Sequence, residues 1–202
     1  MKVEGEHLFK GTKEQVWDLF RDTDVMAAAL PGTKKMELVG ENLYEAIMNV
    51  RVGPVAGEFA GQLEISNEDF PNSYRMTVEG RGKPGFMKGS GDVLLEEESL
   101  EQTLMKYEGE VQIGGRLAAV GQRLVDTVAK SIISQAFETL DRVLAERVAA
   151  ESEGREAAYA KATEGDDASA VAKDLFSAPW VKWALGFGVL VVIGLIILIV
   201  LL

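Results

Sequence analysis

The sequence predicts an α+β fold in which a curved antiparallel sheet wraps around one long C-terminal helix, with two short helices beside it. Three observations carry that reading. Apolar and polar residues alternate between positions 44 and 113, the signature of strands with one dry face. From Leu117 the spacing changes to three-, four- and five-residue steps, the pattern of an amphipathic helix. A closing run of twenty uncharged residues, Trp183 to Leu202, has a different composition and predicts a separate membrane-spanning helix.

The elements follow in order. Val3 to Phe9 reads as a first strand. Thr12 caps a short helix, Lys13 to Arg21, with Val16, Leu19 and Phe20 on one side. Asp24 is expected to cap a second short helix through Ala29, which Leu30-Pro31-Gly32 stops. Then come alternating segments whose inward residues are Tyr44, Ala46, Met48 and Val50; Phe59, Gly61, Leu63 and Ile65; Tyr74, Met76 and Val78; Val93 and Leu95; and Thr103, Met105, Tyr107, Gly109, Val111 and Ile113. The helix that covers this dry face starts at Leu117 and runs to about Ala149, presenting Val120, Leu124, Val128, Ile132, Phe137, Leu140 and Leu144. Strand, two small helices, a meander and one long helix make a helix-grip architecture.

Composition excludes much chemistry. With no cysteine among 202 residues there are no disulfides, thiolate nucleophiles, iron–sulfur ligands or Cys-based zinc sites. His7 is the one histidine, so no His pair can hold a metal. A formal charge of −11 argues against a nucleic-acid partner, which needs surplus Lys and Arg. Gly80-Arg-Gly-Lys-Pro-Gly85 matches a dinucleotide-binding spacing, but strand-like sequence follows it instead of a helix, so it reads as a turn. Glu96 to Glu98 reads as a solvated hairpin tip. His7 lies on the inward parity of its strand with no carboxylate at a fixed spacing, which makes it structural. No catalytic constellation stands out, and the chain is not expected to be an enzyme.

The inward face is unusually small. Ala46, Gly61, Gly80, Gly91 and Gly109 line the sheet side, and Ala118, Ala129 and Ala136 the helix side. Two readings are open and compatible: glycines that let the sheet coil strongly, and an internal apolar cavity. The cavity reading assigns its lining to Tyr44, Met48, Phe59, Gly61, Leu63, Met76, Gly91, Met105 and Tyr107 on the strands and Leu124, Val128 and Ile132 on the helix.

Three regions result. Residues 1–150 form the ligand-binding domain. Residues 151–178 are rich in Ala, Ser and acidic side chains and read as a flexible linker whose first half extends the helix. Residues 179–202 form the single transmembrane anchor, with Trp180 and Trp183 at the interface and Lys182 reaching headgroups. Met1 to His7 lack an apolar core, so no secretory signal is expected. The flanking lysines place the domain on the cytoplasmic side of the cell membrane. The acidic linker and domain are expected to avoid anionic headgroups.

Particular motifs point to a family. Leu30-Pro31-Gly32, Gly53-Pro-Val-Ala-Gly57-Glu-Phe-Ala-Gly61, Pro71-x-x-Tyr74, Gly80-x-Gly82 with Gly85-Phe86 and Gly89, and Gly114-Gly115-Arg-Leu-Ala118-Ala-Val-Gly121-Gln-Arg123-Leu124-Val-Asp126 resemble the CoxG-type family, named for the G subunit of carbon monoxide dehydrogenase. That family lies in the START-like helix-grip superfamily, and the match covers about residues 1–148. Thr33 departs from the Cys that many members carry there. The resemblance implies a non-catalytic accessory protein that recruits a molybdenum-containing, flavin-linked dehydrogenase to the membrane. It also implies an apolar ligand, a lipid or a respiratory quinone such as menaquinone, with no covalent cofactor.

Overall fold

A computed structural model describes residues 1–164. Strands β1 (Lys2–Phe9), β2 (Thr33–Gly40), β3 (Leu43–Val52), β4 (Val55–Asp69), β5 (Ser73–Gly82), β6 (Gly85–Ser99) and β7 (Gln102–Gly115) form one antiparallel sheet in the order β1-β7-β6-β5-β4-β3-β2. Helices α1 (Lys13–Arg21) and α2 (Thr23–Ala29) carry the chain from the β1 edge to the β2 edge. A meander of hairpins returns it to β7, beside β1.

Local chemistry sets the boundaries. Thr12 and Gln15 form a capping box: the Thr12 hydroxyl accepts from the Gln15 N–H at 3.3 Å and the Gln15 Oε1 accepts from the Thr12 N–H at 2.9 Å. The cap of α2 differs from expectation. It is Asp22, whose carboxylate accepts from the backbone of Asp24 and Val25 at 3.0 and 3.1 Å, and Asp24 sits inside the first turn. β2 adds a strand that the alternation does not predict. It lies at the sheet edge with its residues half-buried or exposed, so no dry face patterns its sequence.

The inward parity of the other strands holds: Tyr44, Met48, Phe59, Leu63, Tyr74, Met76, Val93, Leu95, Met105, Tyr107 and Val111 are all buried. The Gly80–Gly85 segment is a tight turn, with Gly82 and Gly85 paired across it.

The long helix begins later than its apolar spacing predicts. Ala118–Val120 make a single 3-10 turn, and Gly121 at φ +90° breaks it from α3 (Gln122–Glu164). Ala118 is consequently exposed and not buried against the sheet. The buried stripe of α3 is centred on Val125, Ala129, Ile132, Ala136 and Leu140 and leaves Leu124 and Val128 half-buried at its margin. α3 continues to Glu164, so the start of the acidic segment is helical. No helix among the described residues is long and apolar enough to cross a membrane. The rest of the linker and the anchor at 179–202, with Trp180, Lys182 and Trp183, lie outside the described residues.

Candidate functional site

Space remains between the sheet and the first turns of α3. One cross-strand row runs Val78–Gly89–Val111, and the N-terminal amine donates to the Val111 carbonyl at 2.6 Å, which brings Met1 alongside. The next row places Met87 opposite Ile113. With Val125 and Gln122 of α3 and Ala118 of the 3-10 turn, Met1, Val78, Gly89, Val111 and Ile113 border an open cleft of ≈ 740 Å³, whose lining also includes Thr77, Glu79, Lys88, Ser90, Glu110 and Gln112. Gly89 lowers its floor because no side chain stands between Val78 and Val111. Its lining mixes apolar and polar groups, and a hollow of this size has room for a small amphipathic molecule.

A second, apolar pocket of ≈ 50 Å³ adjoins it, bounded by Leu30, Met36, Tyr44, Ala46, Met48, Phe59, Gly61, Leu63, Gly80 and Met87. Val78 and Glu79 line both spaces, so the two hollows are neighbours along β5. Burial pushes the Tyr44 hydroxyl up to about 12, with Arg21 opposing and Glu68 adding to the shift. Tyr44 therefore stays a neutral phenol at physiological pH and keeps its hydrogen as a donor. Burial raises the Tyr107 hydroxyl too.

The residues singled out in the sequence separate into groups. Tyr44, Met48, Phe59, Gly61 and Leu63 come together around the small pocket. Met76, Met105, Tyr107 and Ile132 are buried core, and Tyr107 approaches Phe137 with ring centroids 6.3 Å apart. Leu124 and Val128 border neither hollow. Gly91 is buried opposite Gly109, where the backbones close on one another: a Cβ on Gly109 would lie 2.8 Å from the Ser90 carbonyl oxygen and 3.1 Å from the Gly91 Cα. The two rows of small residues thus differ. Ala46, Gly61 and Gly80 border the pocket, whereas Gly91 and Gly109 permit close strand approach. The cleft residues Val78, Gly89, Val111, Ile113 and Val125 are absent from the lining that the sequence predicts. Alternation marks Val78, Val111 and Ile113 as inward-facing but carries no information on how far the helix stands away, and Val125 lies outside the apolar stripe that the helix spacing predicts.

His7 acquires a partner that no local spacing shows. Its Nε2 lies 3.1 Å from both carboxylate oxygens of Asp141 on α3, and its ring stacks on Phe137 with centroids 4.1 Å apart. This pair pins β1 to α3 and borders neither hollow. Among the described residues no group of three or more His, Asp or Glu side chains could hold a metal ion.

A sheet curved about a long helix, with a hollow between them, defines the START-like class of binding folds. Within it, the family model for the G subunit of carbon monoxide dehydrogenase (CoxG) matches residues 5–145, and the chain belongs to that family. The crystal structure of a conserved protein from Geobacillus kaustophilus is similar at 32% identity and a TM-score of 0.69, covering 72% of this chain and 96% of that one. Two further structures share the fold. The Zhui aromatase/cyclase from Streptomyces sp. R1128 has 14% identity and a TM-score of 0.56 over 73% of this chain and 95% of that one. A START superfamily protein from Mycobacterium smegmatis has 10% identity and a TM-score of 0.55 over 72% and 97%. No curated protein matches the chain.

Proposed function

We propose that this protein is a membrane-anchored accessory factor that holds a respiratory quinone, menaquinone or a relative, between its sheet and α3. It brings a molybdenum hydroxylase-type dehydrogenase to the cytoplasmic membrane, where electrons pass to that quinone. The observation that carries the reading is the ≈ 740 Å³ cleft with Val78, Val111, Ile113 and Val125 among its lining, in a chain of this family. Apolar surface removed from water there contributes about 25 cal/mol per Å². Gln112 and Gln122 bring amide groups to the same lining, which suits a ring bearing two carbonyl acceptors. No acid–base or nucleophilic group is needed, because the role is to hold and present.

The full chain, extracted from membranes in mild detergent, tests this. Organic extraction and mass spectrometry should find close to one quinone per chain, together with the dehydrogenase in the same preparation. Ile113→Trp, which fills the cleft from a half-buried position, should reduce the quinone several-fold with little change in melting temperature. Recovery of phospholipid alone would replace the reading with that of a lipid carrier.

A further inference from the structure

The charges of this domain are sorted by end. Hairpin tips at one end of the sheet carry Glu41, Glu68, Asp69, Glu97, Glu98 and Glu101. The other end gathers the β3–β4, β5–β6 and β7–α3 connections, and close contacts bind these together. The Leu117 N–H donates to the Pro84 carbonyl at 3.2 Å, and a Cβ on Gly53 would lie 2.8 Å from Leu124. This second end carries Arg51, Arg81, Lys83, Arg116 and Arg123, all exposed. None of the five makes a salt bridge among the described residues; Lys10, Lys13, Lys130 and Arg155, scattered elsewhere, make none either, whereas Lys2, Arg21, Lys34, Lys35, Arg75, Lys88, Lys106, Arg142 and Arg147 all do. Of the acidic groups towards this end, Glu58 is held by Lys34 at 2.6 Å, Glu79 is paired with Lys88, Asp126 is half-buried on the first turn of α3, and Glu110 stands exposed on the cleft lining.

We propose that this basic end is a docking surface for an anionic lipid bilayer, seating the mouth of the cleft against the headgroups. Two observations favour a bilayer over an acidic protein. Phe86, Pro54, Ala118 and Ala119 are exposed among the cations, the mixture that an interfacial contact uses, whereas the more exposed Phe70 and Leu100 stand among the carboxylates of the other end. The cleft also reaches this end, through Ala118, Gln122 and Ile113, so an apolar molecule leaving it would enter lipid without crossing water. The expectation from net charge, that an acidic domain avoids anionic headgroups, averages over two ends of opposite sign. The delivery of a ligand rests on the quinone reading above; the docking stands on charge and shape alone and is measured without added ligand.

The chain has no cysteine, so single dye positions can be placed cleanly. The full chain is reconstituted in vesicles of phosphatidylcholine with and without equal phosphatidylglycerol. An environment-sensitive dye is attached at Ala119→Cys or, at the acidic end, at Leu100→Cys, and is read by quenching from spin-labelled headgroups. The Ala119 dye should be quenched strongly only in phosphatidylglycerol vesicles and released by salt; the Leu100 dye should not respond. Charge reversal at Arg81, Lys83, Arg116 and Arg123 should abolish the quenching. The milder glutamine set should weaken it by about five-fold per cation removed, and circular dichroism verifies that each variant is folded. An Ala119 dye that stays in water on anionic vesicles, or quenching that the substitutions leave unchanged, overturns the proposal. So does an Ala119 dye that is covered only when soluble dehydrogenase is added, since the surface would then dock protein.

Discussion

The two halves of the helix–sheet interface are packed in opposite ways. Towards the hairpin tips, α3 presents Phe137, Leu140 and Leu144 to a core of packed rings, and the hollow of ≈ 670 Å³ in this half is bordered by strand residues alone, from Glu4 to Glu6 and at Tyr74, Val93 and Tyr107 among others. Phe9 meets Phe20 edge-to-face at 5.4 Å, His7 stacks on Phe137, and Trp17 meets Tyr74 at 5.6 Å. Towards the basic end, α3 presents Val125 and Ala129, the strands present Gly89 and Gly80, and a hollow remains. One sheet therefore carries a closed half that holds the fold and an open half free to hold something else. Stability should depend steeply on substitutions in the first half and weakly on those in the second.

The steepest test is Phe137→Ala. Its ring is buried against His7, Phe9 and Tyr107, and removing it leaves a cavity where nothing can collapse. A loss of about 3–5 kcal/mol is expected in denaturant unfolding, against little change for Ile113→Trp in the cleft. Equal costs at the two positions would remove the distinction between the halves.

Gly109→Ala comes next. The added methyl must displace backbone at the Ser90 carbonyl, so about 1–3 kcal/mol should be lost without any change in ligand content.

Asp22→Ala tests how the closed half is fastened. Asp22 caps α2 and meets Arg147 of α3 at 2.5 Å. Burial works to raise its carboxyl, but the Val25 N–H, the Arg147 guanidinium and the Asp24 N–H outweigh that and hold it below its ordinary value. Losing the cap should cost about 1 kcal/mol near neutral pH. Because the folded-state value is depressed, the ionic contribution is present above the unfolded value of about 3.9 and disappears as the pH falls through the folded one. The gap between wild type and variant should narrow over that acid range. A gap that is constant with pH would mean that the hydrogen bonds do not depend on ionisation.

Much of the closed half is legible in the sequence because strand alternation and helix spacing report burial directly. Thr12 and Gln15 announce their capping box, and Tyr44 to Val50 and Thr103 to Val111 announce their parity. What the sequence hides is non-local or conformational. Asp141 is 134 residues from His7, and no spacing rule connects them. β2 sits at an edge with no buried face to pattern it. A single glycine at positive φ, Gly121, moves the start of α3, and the small Ala129 and Ala136 hold the buried face where the larger Leu124 and Val128 draw the eye. The open half is legible only in part, since a hollow depends on how far apart two inward faces stand. Small residues at Ala46, Gly61 and Gly80 signal the pocket, yet the same signal at Gly91 and Gly109 comes from strands that touch.

That ambiguity yields the smallest and most discriminating effect. Ala46 borders the ≈ 50 Å³ pocket, opposite Gly61, and is half-buried. Ala46→Val adds two methyl groups facing empty apolar space, on a strand where β-branched residues are favoured. Filling such space recovers dispersion contacts that the lining lacks. Overpacking would instead cost about 1–3 kcal/mol. The expected outcome is a change within about 0.5 kcal/mol of zero, with a melting temperature unchanged or slightly raised, the typical range for substitutions that neither create a cavity nor strain the chain. Gly61→Ala, one strand over, is the companion measurement. Its Cβ would lie 3.0 Å from the Glu79 carbonyl oxygen, so it should cost more than Ala46→Val and less than Gly109→Ala, where the approach is 2.8 Å. An Ala46→Val cost equal to that of Gly109→Ala would mean that both rows serve only to let the sheet coil and that the pocket is closed space.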